Sequence, residues 1–249
     1  MIIAFLKRRW WLTSNRILPT LGFALLLPVV LHLFINFPMR KLELMQDPAL
    51  NPEHWILPGL LCMIMIISLI PSLFRDLFDL RIHRNTLAPL SIAPLSNQQI
   101  IRGFLFTAMI ESLVFALVGM LVFWLLMDSQ LELIQYAIMI PYILLFAALI
   151  GNIIISFSLL TDRSSVFLFL VLTATVIIMF GSELFIDLSL FPRSIGTILR
   201  YFPTGQILHG LRQVIFSGEF NIVVTAVPLA ITILLTFING ELLKRKMDQ

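Results

Sequence analysis

Across 249 residues the chain is 59% hydrophobic and only 12% charged, with a net charge of +3. An ordinary soluble domain carries about 25% charged residues, so a soluble globular fold is excluded. Apolar runs of about 20 residues, the length a helix needs to cross hydrocarbon, take the place of amphipathic spacing. Barrel strands, about 10 residues long and strictly alternating, find no counterpart, so the expectation is an all-α membrane protein with six transmembrane helices.

In chain order, "MIIAFLKRRWW" places its charges after its apolar residues and shows no small-residue cleavage site, so it does not read as a signal peptide. Residues 1–16 read instead as a short interfacial helix. Trp10 and Trp11 would sit at headgroup level, with Lys7, Arg8 and Arg9 against lipid phosphates. The alternative is a plain basic flank that sets topology. The six spans are expected near Ile17–Phe37, Trp55–Phe74, Phe104–Met127, Leu133–Leu160, Val166–Leu184 and Ile222–Leu243. Twelve of the 17 basic residues fall on the side of the termini, which predicts that both termini are cytoplasmic. This bias is a topogenic signal and calls for no nucleic-acid partner. The single cysteine, Cys62, lies inside the second span and precludes an intramolecular disulfide or a cysteine metal cluster.

Catalytic motifs are missing. No Gly is followed by Lys, so no phosphate loop exists, and neither H-E-x-x-H nor a paired Cys/His spacing occurs. His32, His54, His83 and His209 are scattered through different segments. The chain is therefore expected to be no enzyme and to bind no metal or cofactor of its own. Two acidic residues draw interest, because an ionised carboxylate in hydrocarbon is costly unless it faces protein or water. Glu111 lies in the third span, in "FTAMIESLVF"; it makes either an internal structural hydrogen bond or a contribution beside a transport path. Glu183, in "MFGSELF" near the outer end of the fifth span, is expected to be hydrated at the interface.

The polar loop from Arg75 to Gly103 interrupts this apolar pattern. Drawn as a helix from Phe74, it puts Arg75, Asp76, Asp79 and His83 on one face and Phe74, Leu77, Phe78 and Ile82 on the other. The second span is thus expected to continue as an amphipathic extension. Pro89 and Pro94 break it, and Ser96 with Gln99 forms a capping box that restarts the next helix. After the fifth span, residues 185–221 are too apolar for an ordinary loop and too interrupted for a span.

"LPGLLCMIMIISLIPSLFRDLFDLRIHRNTLAPLSIAPLSNQQIIRG" resembles the second span and first cytoplasmic loop of ABC transporter type 2 permeases. Pro58-Gly59, Thr86-Leu87 and Pro94-Leu95-Ser96 carry the match, while Asn85 and Ala88 depart from the usual Gly and Glu. The segment "LFPRSIGTILRYFPTGQILHGLRQVIFSGEF" resembles the same family through Pro192, Pro203, Arg212 and Gly218, although Ile186 stands where many members have proline. With the six-span plan, the resemblance covers nearly the whole chain. It implies a single transmembrane domain over residues 1–249, in a plasma membrane of the bacterial inner-membrane kind.

The resemblance implies a partner as well. Residues 75–103 would hold a cytoplasmic coupling helix seated on a separate ATPase, two ATPase copies serving two permeases, with ATP and Mg handled by the ATPase alone. Contact would fall on Arg75, Asp76, Arg81, Arg84, Thr86, Leu87, Pro94 and Leu95, with a smaller contact at Asp162 and Arg163. Residues 185–221 would form re-entrant helices over the exit, and Glu111, Glu183, Phe185, Pro203 and Arg212 are the candidate path residues. Arg200 and Arg212 would meet anionic headgroups or substrate, or snorkel to the interface. The implied function is export of a lipid, lipid-linked glycan, drug or other amphipathic molecule. Alternatives are a haem-exporter B-type permease, a stand-alone channel or secondary carrier, and a non-transporting scaffold.

Overall fold

The computed structural model describes residues 2–15, 17–39, 51–82, 95–128 and 131–247. Among these, helix follows helix without a strand: α1 (Ile2–Ser14), α2 (Ile17–Met39), α3 (Pro52–Ile82), α4 (Asn97–Leu126), α5 (Leu133–Leu160), α6 (Ser164–Gly181), α7 (Arg193–Arg200), α8 (Pro203–Arg212) and α9 (Ile222–Met247). Six of them, α2 to α6 and α9, are long and apolar enough to cross a membrane. The α5 bounds coincide with the hydropathy reading. By contrast α4 begins at Asn97, well before Phe104, because its polar first turns are capped rather than left as loop.

Local chemistry explains these starts. Asn51 Oδ1 accepts from Glu53 N at 3.0 Å, with Pro52 in the first helical position of α3. Before α4 the expected capping box is present: Gln99 N donates to Ser96 Oγ at 3.3 Å, and Ser96 N donates to Gln99 Oε1 at 3.0 Å. Glu132 and Gln135 form the corresponding box before α5.

α3 is the axis of the bundle. In its most apolar stretch 78% of residues are buried, against 22% in α2 and α6 and 17% in α9, so α3 alone among the spans is covered on nearly every side. It packs against α4 and α5, α9 lies across those two, and α2 and α6 sit outside. Leu57, Leu60, Leu61, Met65, Leu69 and Leu73 have no exposed surface, which fits a helix that is apolar all round. The outer helices show bare apolar faces, including Leu18, Leu26 and Phe34 on α2, Phe169 and Leu172 on α6, and Val223 and Leu234 on α9. Faces of that breadth require lipid or another apolar surface against them.

At about 1.5 Å per residue, the 31 residues of α3 reach about 46 Å, well beyond the roughly 30 Å of hydrocarbon. The expected extension past Phe74 is therefore helical, with a π turn at Phe74–Asp79 just after Pro71. A π turn holds an extra residue and so shifts the register below it. As a result Asp76 is buried together with Leu77 and Phe78, instead of lying on an outward polar face, and Arg81 is buried below it. Residues 83–94 lie outside the described residues, and with them Arg84, Thr86, Leu87 and Pro94.

Inside the apolar bundle, α5 and α9 are joined by amides. Asn239 Nδ2 donates to Asn152 O at 2.9 Å and to Asn152 Oδ1 at 3.1 Å, while Ser156 Oγ donates to Asn239 Oδ1 at 2.7 Å. Thr236 Oγ1 adds a bond to Asn152 Oδ1 at 3.2 Å. Both asparagines are fully buried, and such interhelical bonds average about 0.6 kcal/mol in a membrane protein.

Gly59 marks the tightest approach to α3. A Cβ placed there would lie 1.9 Å from the Leu184 carbonyl oxygen, a backbone atom that cannot swing aside. Gly119 is also crowded, but by the Ile64 Cδ1 at 2.5 Å, the free end of a side chain. Gly59→Ala is therefore expected to destabilise the protein by at least the 1–3 kcal/mol or so typical of overpacking, and Gly119→Ala by clearly less. Thermal unfolding midpoints of the purified variants in detergent would check the order; equal midpoints would refute the close approach.

Candidate functional site

Buried charge is concentrated at the two ends of α3. One end, which also holds α1 and the C-terminal part of α9, is called the terminal end here, and the other the far end.

At the terminal end, α1 docks on α4 through Phe5. Its ring meets Phe104 edge-on at 4.9 Å and lies over Gly103, where the missing side chain leaves room for it. This places Arg9, only 5% exposed, between two carboxylates. Arg9 Nη1 donates to Asp76 Oδ2 at 2.7 Å, and Arg9 Nε lies 2.7 Å from Glu111 Oε2. Ser72 Oγ donates to the same Glu111 oxygen at 2.6 Å. Arg8 and Arg75 approach Asp76 Oδ1 at 3.6 Å each. Burial pushes the Arg9 guanidinium below the usual arginine range, against the opposing pull of Asp76 and Glu111. Three helices are thereby tied by one cation. The other side of α1 leaves Trp10 and Trp11 76% and 69% exposed.

A second clamp sits one turn further along α3. Arg81 is buried, its Nη1 donating to Asp162 Oδ1 at 2.5 Å and its Nη2 to Ser158 O at 2.6 Å and to Thr161 O. Those carbonyls belong to the last turn of α5 and its cap, where helical geometry leaves acceptors unpaired and a cation is favoured. Lys246, near the end of α9, reaches Asp162 Oδ2 at 3.2 Å. Hydrogen bonding from Arg81 holds the Asp162 carboxyl below its usual range. Phe78 stacks on Phe167 at 5.1 Å beside the clamp, adding α6 to it. Arg163 stands just before α6 with an exposed side chain that makes no cap bond, and Leu95 packs at the margin of the core.

At the far end, the chain leaves α6 through Glu183, whose φ of 55° is left-handed, and folds back as α7 and α8. Arg212, at the end of α8, is 6% exposed and ties this segment to α3. Its Nη2 donates to Glu183 O at 2.7 Å, its Nε to Trp55 O at 3.3 Å, and its guanidinium lies 3.5 Å from the Trp55 ring centroid. Glu183 Oε2 is 3.5 Å from Arg212 Nη1 and 3.8 Å from His209 Nδ1. The fold-back covers most of the Glu183 side chain, which is 13% exposed and lines a cavity beneath it. Arg212 is buried and does not snorkel; Arg200, by contrast, is exposed. Phe185 is buried in the core, and Pro203 opens α8. A π turn at Gln213–Ser217 and a left-handed Gly218, φ 69°, end the segment before α9.

Candidate residues from distant parts of the sequence thus meet in three places: Asp76 with Glu111, Arg81 with Asp162, and Glu183 with Arg212. Arg9, Ser72, Trp55 and Lys246 complete these clusters without having been singled out as site residues. Arg9 and Lys246 lie within basic runs that read as topological signals. No group of three His, Cys, Asp or Glu side chains suited to a metal ion occurs among the described residues.

The six apolar helices define a multi-pass helical membrane protein. Comparison with protein-family models, with curated proteins and with solved structures gives no match for this chain.

Removing one member of a buried ion pair strands the other, at about 3–5 kcal/mol, whereas replacing a whole set with apolar or neutral groups is often close to neutral. Arg9→Met is therefore expected to lower the unfolding midpoint strongly. The triple variant Arg9→Met/Asp76→Leu/Glu111→Gln should recover most of the loss. Additive losses across the series would show that the three groups do not act as one unit.

Proposed function

We propose that the chain is the membrane subunit of an ATP-driven exporter of the ABC type 2 permease kind, moving a lipid or other amphipathic molecule. The observation that carries this reading is the continuity of α3. The most buried helix of the bundle runs without a break from Trp55 at the far end to Arg81 at the terminal end. Beyond Ile82 comes the proline-broken loop whose sequence resembles the family's ATPase-docking segment. A push on that loop would be delivered to the axis of the bundle, while the Arg9 and Arg81 clamps would carry it to α1, α4, α5 and α9.

On this reading Asp76 and Arg81 act as positioning residues, since their charges are spent inside the bundle, while Arg84, Thr86, Leu87, Pro94 and Leu95 supply the docking surface. The sequence lacks a phosphate loop, so hydrolysis falls to a partner ATPase with its own ATP and Mg. A second copy of the chain would cover part of the exposed apolar faces and close the path, with lipid covering the rest. The α7–α8 fold-back would be the re-entrant cover at the exit. Irregular backbone such as 182–187 survives at membrane depth only where protein satisfies it, and Arg212 does this for two carbonyls there. The terminal end would face the cytoplasm, following the basic bias.

Purification of the chain from its native membrane should bring an ATPase subunit in equal copies; a chain that transports while purified alone would support a channel or secondary carrier instead. Leu87→Asp or Leu95→Asp is expected to release that ATPase or cut transport-linked hydrolysis at least tenfold, with Leu95→Asp also lowering the unfolding midpoint because Leu95 packs at the margin of the core. Survival of both complex and coupled hydrolysis would remove these leucines from the contact.

A further inference from the structure

The far-end fold-back encloses a cavity of about 520 Å³, within the range of ligand sites of roughly 300–1,000 Å³. Its walls carry two guanidinium groups, Arg200 and Arg212, and two carboxylates, Glu183 and Asp187, so the formal charge sums to zero. Among the buried polar atoms here, three have no hydrogen-bond partner among the described residues: Arg212 Nη1, a donor, and Gln206 Oε1 and Gln213 Oε1, both acceptors. Glu183 Oε2, at 3.5 Å, does not relieve the first. Leaving such atoms unsatisfied inside the bundle is costly, so a ligand that pairs them is favoured.

From this we infer that the cavity binds the zwitterionic headgroup of a phospholipid, one with a primary ammonium joined to a phosphate. The phosphate supplies acceptors for Arg212 Nη1 and Arg200. The ammonium supplies three N–H donors for Gln206 Oε1, Gln213 Oε1 and a carboxylate. Neutral walls disfavour a ligand that is anion or cation alone, and charge-assisted bonds are about twice as strong as the neutral bonds a sugar would make. Next to the cavity, Ile198 and Tyr201 are 69% and 76% exposed, an apolar edge where acyl chains can lie. This inference deepens the exporter reading and takes its meaning for transport from it, naming the substrate class that the exit would accept.

A quaternary ammonium carries no N–H, so the two glutamine oxygens should tell ethanolamine from choline. The test is native mass spectrometry of the purified full chain with dihexanoyl phosphatidylethanolamine, phosphatidylcholine and phosphatidylglycerol at equal concentration. Ethanolamine lipid is expected to bind at least tenfold better than choline lipid, because choline leaves both glutamine acceptors unpaired. Gln206→Met/Gln213→Met should abolish that preference at an unchanged unfolding midpoint. Free phosphoethanolamine serves as the competitor: displacement at concentrations equal to the lipid's makes the headgroup alone the ligand, and failure to displace assigns the site to the whole lipid. Equal binding of ethanolamine and choline lipids, stronger binding of phosphatidylglycerol, or a preference that survives the glutamine changes would overturn the inference. Because binding is read without an ATPase, its failure leaves the exporter reading standing, and failure to recover an ATPase leaves the binding result standing.

Discussion

A charge carried into an apolar bundle must be met there by groups from another part of the chain, because hydrocarbon offers no hydrogen bonds in exchange. Most of the tertiary organisation follows from that obligation. Asp76, Arg81 and the backbone at Trp55 all sit on the central helix α3, and each is met by a residue far away in sequence: Arg9, Asp162 and Arg212. Apolar contact alone would let six oily helices slide and rotate past one another at modest cost. The ion pairs, and the Asn152–Asn239 bonds between α5 and α9, admit only one register.

The same contacts make the bundle a mechanical unit. At the terminal end, one arginine joins α1, α3 and α4, and another joins α3 to the end of α5 and, through Asp162, to α9. At the far end the fold-back rests on α3 where Gly59 lets the Leu184 carbonyl come close, and Arg212 spans the same junction. On the proposed reading, force applied beyond Ile82 reaches the exit along one helix, without passing through a flexible joint. Glu111 takes its place in this frame as a partner of Arg9 and Ser72, which gives its carboxylate an internal structural bond.

Much of this was legible in the sequence. Six apolar runs gave six helices, the Ser96–Gln99 pair gave the capping box, and the interruptions of residues 185–221 gave a fold-back of short helices. Glu111 and Glu183 were marked as candidates because a carboxylate beside long apolar runs is costly and therefore seldom idle, whereas Asp76, Arg81, Asp162 and Arg212 were marked only through the family resemblance of their segments. Their partners were not legible. Arg9 sits in a run of basic residues whose composition speaks of topology, and nothing local says that one of them turns inward. Amphipathic periodicity pointed Asp76 outward, because it assumes an unbroken α-helical register, and the π turn at Phe74–Asp79 breaks that register.

What the sequence determined by itself was the class: hydropathy and length act within a single segment, so they suffice to specify membrane-crossing helices, their caps and their number. Only the tertiary structure decided which helix became the axis, which charges went inside and how the 182–187 backbone was satisfied. Those outcomes depend on pairings across as many as 157 positions, as between Trp55 and Arg212. Their physical basis is electrostatic and steric complementarity in three dimensions, and no single segment contains it.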